Sequence, residues 1–186
     1  MKIKTFCMIA LLHSFFFIVG TTLFILLFHT TLFKGIDVFF YRGIVLLAVS
    51  CILILLGMVV YKRSSQASLF TYRDVILSIV LLASINLVFF THLPVTAERS
   101  ISVFLLSHID KHSQTTLTNQ EITKIVVDKY LYEFGAIDKR LYEQIISGNI
   151  VRDGNGYKIS KRGKFLLKMY TLIIDVFNID KKLISP

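Results

Sequence analysis

The sequence predicts a mainly α-helical membrane protein, a three-helix transmembrane anchor followed by a small polar α+β domain, and three observations carry that prediction. Only 18% of the 186 residues are charged, against about 25% in ordinary soluble domains. The deficit is uneven: residues 1–92 hold seven Lys or Arg and two acidic residues, and residues 93–186 hold fourteen and ten. Three apolar runs, residues 5–33, 43–61 and 75–91, reach the length of about 20 residues that a helix needs to cross a hydrocarbon core.

Each run is expected to be a helix, because a helix satisfies its own backbone in lipid. The first begins after Met1-Lys2-Ile3-Lys4, the start of a secretory signal in appearance. A signal core is only about 7–15 residues and ends in a small-residue cleavage site. This run is far longer and turns rich in Phe and Leu, so a retained helix is expected. Cys7 and Cys51 both lie inside apolar runs and read as small hydrophobes rather than a disulfide pair.

Orientation follows from the basic residues beside the spans. Lys2, Lys4, Lys62, Arg63 and Arg73 flank one side, Lys34 and Arg42 the other. The excess places the N-terminus in the cytoplasm, and three spans then place the C-terminal domain outside, in a periplasm. A bacterial inner membrane is the expected location. Within the spans, His13 and His29 are sixteen residues apart, about 160° around a helix, so they do not share a face. Helix packing and interface anchoring account for them more simply than a proton relay does.

Residues 93–112 form a junction. Pro94 disfavours simple continuation of the third span. Thr96 is expected to cap a new segment with Glu98 near its positive end. Ile101, Phe104, Leu105 and Ile109 recur at helical spacing, as in an amphipathic helix lying at the membrane, although alternation from Ser100 to Leu106 also fits a strand. Thr96, Glu98, Arg99 and Ser100 are the candidates for an interfacial or partner-binding site, with Arg99 suited to a phosphate or carboxylate. His108 and His112 stand at a spacing that binds metal on a helix, but no third strong ligand accompanies them, and no metal is expected.

Residues 113–186 make up the polar domain. Thr118-Asn119-Gln120-Glu121 is a capping box opening a helix that Gly135 closes. Asp138 is expected to cap a second helix, ended by Gly148. Asp153-Gly154-Asn155-Gly156 reads as the turn of a hairpin. Ser160 begins a last helix reaching about Asn178, apolar enough to pack on its own domain, on a membrane surface or on a partner. Leu117-Thr118-x-x-Glu121-Ile122, Leu141-x-x-x-Ile145-x-x-Gly148-x-Ile150 and Tyr157-x-Ile159-Ser160-x-x-Gly163 together resemble a winged-helix domain over roughly residues 117–165. That resemblance implies a recognition helix from Asp138 to Ser147 and a wing from Val151 to Ser160. Lys139 and Arg140 are its candidate surface residues. With Glu143 beside them they make a thin footprint for phosphates, and winged helices also serve as protein-docking modules.

No Gly-rich phosphate loop, nucleophile elbow, paired-cysteine motif or HExxH occurs, so no catalytic residue and no cofactor are expected. The leading expectation is a non-catalytic accessory or docking subunit of a membrane assembly, one serving an envelope lipid or glycan enzyme for example. Its partners would be the bilayer and an integral membrane protein or a second copy of itself. A membrane-tethered winged-helix transcription regulator is the alternative, and nucleic acid is a partner only if the domain is cytoplasmic. A third reading is an interfacial lipid-binding protein or enzyme using Glu98 and Arg99.

Overall fold

The computed structural model describes residues 3–64, 70–112 and 116–177. Lys2, linker residues 113–115 and the expected helix end at Asn178 lie outside them. The chain forms two compact units, Met1–Ser100 and Ile101–Pro186. The first holds α1 (Ile3–Phe28), α2 (Phe39–Ser64), α3 (Tyr72–His92) and α4 (Pro94–Arg99). Three of its helices are long and apolar enough to cross a membrane.

α1 ends at Phe28, short of the expected span end at residue 33. Local chemistry explains the difference. The Thr30 hydroxyl donates to the Leu27 carbonyl at 2.7 Å and accepts from the Leu32 N–H at 3.2 Å, replacing helical bonds with a turn. Phe33 then takes a left-handed φ of +55°. α3 starts earlier than its apolar run, because Thr71 and Asp74 form a capping box. The apolar run expected to span begins only at Val75, three residues after the helix does.

Contacts fix the directions of the helices. Phe16 of α1 packs with Ile54 and Met58 of α2, and Phe24 and Leu27 further along pack with Leu46 and Leu47. The α2 numbers fall as the α1 numbers rise, so these helices are antiparallel. His13 meets Ser78 and Thr21 meets Asn86. That offset is the same in both pairs, so α1 and α3 run parallel. Two apolar clusters result, one around Phe16, Met58, Phe70 and Leu82, the other around Phe24, Leu46 and Phe90. Phe90 is fully buried, with the Phe24, Phe28, Phe39 and Phe40 rings between 5.5 and 6.4 Å from its own. Gly43 makes room for it: a Cβ there would lie 2.0 Å from the Phe90 ring.

Pro94 ends α3 as expected and occupies the first turn of α4, where its missing N–H costs nothing. Thr96 is therefore not a cap, contrary to the sequence reading; Leu93 holds that position. The segment from Ile101 is helical, which removes the strand alternative.

The second unit consists of α5 (Ile101–Lys111), α6 (Asn119–Ile125), a π-helical stretch (Val126–Glu133), α7 (Ala136–Ile146), the antiparallel strands β1 (Ile150–Asp153) and β2 (Gly156–Ile159), and α8 (Lys161–Val176). The Thr118–Glu121 capping box is present, with Thr118 N–H and hydroxyl donating to Glu121 Oε2 at 2.7 and 2.8 Å. The helix it opens passes into wider turns, the Phe134 N–H bonding back to the Lys129 carbonyl five residues earlier. Gly135, at φ +60°, is the N-cap of α7, and Asp138 sits inside its first turn. The expectation of a cap at Asp138 fails because the left-handed glycine turns the chain directly into the next helix. Phe104 of α5 packs on Tyr130 and Phe134 at 5.2 and 5.7 Å, so part of that helix's apolar face is used within its own unit.

The centre of this unit is a knot of backbone contacts. Ser160 caps α8 by accepting from the Gly163 N–H at 3.0 Å, and its hydroxyl donates to the Gly148 carbonyl at 2.7 Å. The Ser160 N–H bonds to Asn149 O at 2.9 Å. Gly163 approaches so closely that a Cβ would lie 2.1 Å from that same oxygen. Gly148, Ile159, Ser160 and Gly163, four of the twelve residues quoted for the winged-helix resemblance, meet here.

Candidate functional site

Polar groups inside the bundle are drawn together between α1 and α3. His13 Nδ1 is hydrogen-bonded to Ser78 Oγ, and its Nε2 faces Asp74 Oδ1 at 3.8 Å. Two turns further on, Asn86 donates to Thr21 Oγ1 and to the Leu82 carbonyl, both at 2.9 Å. A groove of about 330 Å³ runs beside His13, lined also by Ser14, Phe17, Ser78 and Leu81.

Serine, histidine and aspartate in a line have the connectivity of an acyl-transfer triad, but the geometry points elsewhere. At 3.8 Å the Asp74–His13 approach exceeds a hydrogen bond. The second Asp74 oxygen is engaged by the Thr71 N–H and hydroxyl, each at 2.7 Å. Ser78 lies within α3, where backbone N–H groups are committed to the helix and do not gather into an oxyanion hole. What the arrangement can do is hold two parallel helices in one register, the use to which interhelical polar bonds are commonly put in lipid.

At the opposite end of the bundle Arg42 donates to the Thr30 and Phe28 carbonyls at 3.1 and 3.4 Å. Its guanidinium also stands 5.9 Å from the Phe28 ring centroid. A cation at the carbonyl end of a helix is favourable, so this arginine closes α1. His29 lines a cavity of about 360 Å³ with Phe24, Phe28, Phe39, Phe90 and Pro94.

The junction candidates come together only in part. Glu98 and Arg99 approach at 3.6 Å, the arginine being more exposed than the glutamate. Thr96 turns its hydroxyl back to the Thr91 carbonyl at 3.3 Å. Ser100 is the C-cap of α4. His108 and His112 stack with ring centroids 4.3 Å apart, and His112 Nδ1 lies 2.9 Å from the His108 carbonyl. Desolvation, then the charges of His112, Lys129 and Lys111, push the His108 imidazole below its ordinary value. Among the described residues no group of three or more His, Cys, Asp or Glu is arranged to hold a metal ion.

On α7 the two candidates part. Arg140 is held by Glu143 at 2.8 Å, and Glu143 is buried. A buried carboxylate needs such a partner, so this arginine serves the fold. Lys139 is exposed and shares a helical face with Tyr142 and Ile146, three and seven residues on. Both are half exposed. The neighbouring hairpin shows Val151, Tyr157 and Ile159 in the same way. Ile146, expected with Leu141 and Ile145 among the apolar positions of this helix, is exposed rather than packed, and Tyr142 beside it is the residue that charge counting misses.

Comparison with known protein-family models, with curated proteins and with solved structures finds no match for the chain.

Proposed function

We propose that the protein is a membrane-anchored docking subunit that binds a protein partner through α7 and the β1–β2 hairpin. The observation that supports this reading is the exposed set Tyr142, Ile146, Val151, Tyr157 and Ile159. Aromatic residues are enriched where proteins meet proteins, whereas nucleic-acid surfaces are dominated by Lys and Arg. Arg140, which a phosphate would need, is committed to Glu143.

The winged-helix resemblance belongs to the same proposal. The order of helices, hairpin and last helix supports it, and docking is a known use of such a domain. An inner-membrane location, with the N-terminus cytoplasmic and the domain outside, is supported by Lys62, Arg63 and Arg73 on the N-terminal side of the spans.

Two measurements on the full chain in native membranes test the proposal. A phosphatase fused after the C-terminus should be active, which removes the transcription-regulator reading; an inactive fusion overturns the topology. A photo-crosslinker in place of Tyr142 should join the chain to one integral membrane protein or to a second copy. Ile146→Asp should abolish that adduct. An adduct that survives the substitution, or none at all, overturns the docking face.

A further inference from the structure

We infer that α8 is an interfacial helix that lies on an anionic lipid surface. This helix has more apolar surface than its own unit uses. Gly163 and Ile174 are its buried residues and Leu166 is half-buried, and they mark one stripe along the helix. At about 100° per residue, Phe165, Met169, Leu172 and Val176 form a second stripe roughly 135° away. Phe165 and Val176 are 65% and 68% exposed. Leu167, Tyr170, Ile173 and Phe177, nearer the packed stripe, are exposed as well, so the apolar surface is broad and the stripe from Phe165 to Val176 is the part of it farthest from the unit.

The charges show what would cover that face. Lys161, Lys164 and Lys168 run along one flank, which Asp175, the acidic residue of the helix, shares two turns further on, and Arg162 stands on the other flank. Long cationic side chains flanking an apolar stripe place their stems on hydrocarbon and their heads among phosphates. Lysine is depleted at protein interfaces, so the same flanks disfavour a protein occupant. With 16 residues the helix is shorter than a span of about 20 and suits the surface of a bilayer. The spans of the first unit hold the chain at a bilayer already, so the surface is met at high effective concentration. This face is separate from the one formed by α7 and the hairpin, and the inference stands whether or not that docking reading does.

The test uses the full chain in vesicles of phosphatidylglycerol and phosphatidylcholine, with Cys7 and Cys51 replaced by Ala. Single nitroxides are introduced at Phe165→Cys, Leu172→Cys, Val176→Cys, Lys164→Cys and Lys168→Cys. Collisions with oxygen should dominate at 165, 172 and 176, and collisions with a water-soluble nickel chelate at 164 and 168. In phosphatidylcholine alone, or with Lys161, Lys164 and Lys168 changed to Gln, nickel should reach 172 and 176 several-fold more readily. Equal nickel access at every position in anionic vesicles overturns the inference. So does shielding of 165, 172 and 176 from both reagents, which would mean that protein covers the face. An oxygen pattern unchanged by removing the anionic lipid overturns the electrostatic part.

Discussion

Ile76, Val80 and Val88 stand outward from α3 at 54–64% exposure, and in the second unit Tyr132, Phe134 and Phe177 are exposed at 61–78%. In the bundle these side chains belong to helices long enough to cross a membrane, lipid is their solvent, and the polar groups turn inward to meet one another. The second unit has no span-length helix among the described residues, and its buried positions are largely polar or backbone: Glu143, Asn149 and Gly163. Equal exposure thus has unequal meaning. The bundle is held by ring packing and a few interhelical bonds, the second unit by caps, turns and close backbone approach.

The sharpest way to probe that contrast is Phe90→Ala. Emptying the site on which four other rings converge should cost about 3–5 kcal/mol, read as a loss of resistance to unfolding in detergent; a change under 1 kcal/mol would mean that the aromatic cluster does not hold the bundle. Next in size is Gly163→Ala in the second unit. Its methyl group meets a backbone oxygen that cannot yield as a flexible side chain would, and about 1–3 kcal/mol should be lost. Amide exchange should quicken across the hairpin and α8 while the bundle is unchanged; exchange that quickens in both would show that the two units do not respond separately.

Thr118→Ala should cost about 1 kcal/mol, as loss of an N-cap does, visible as faster exchange at residues 119–125. The same box gives a pH dependence. Hydrogen bonds from the Thr118 N–H and hydroxyl hold the Glu121 carboxyl below the usual carboxylate range. Its folded value lies under its unfolded one, so the stabilisation is complete above about pH 4.3 and is lost as pH falls through the lowered value. Glu121→Gln should flatten that acid limb; a limb that persists would assign it to other carboxylates. The smallest effect belongs to the bundle's polar bonds. A double-mutant cycle of Thr21→Val and Asn86→Leu should give a coupling of about 0.6 kcal/mol, and a coupling of zero would assign the register of α1 and α3 to packing alone.

What the sequence made legible was whatever is local. The three spans, the Thr118 box, the Pro94 break, the Gly154 turn and the Ser160 cap each follow from a few neighbouring residues. Asp138 and Thr96 failed as caps for the same reason in reverse: each had a suitable side chain, but Gly135 and Leu93–Pro94 had already turned the backbone. The His13–Ser78 and Thr21–Asn86 pairs were out of reach, because they depend on the relative register of two helices. Nor could charge counting show that Arg140 and Arg42 are consumed by internal partners.

The shared offset of those two pairs has a consequence for how the chain is made. His13 and Thr21 each find their partner sixty-five residues downstream. At about 5–20 residues per second, α1 waits roughly 3–13 s between its own synthesis and that of the helix that completes it. During that interval Ser78, the hydrogen-bond partner of His13, has yet to be made, and α2 arrives first. The order of synthesis thus makes α3 the closing element of the anchor. A chain arrested before Tyr72 should leave His13 open to a histidine-modifying reagent that the finished bundle resists.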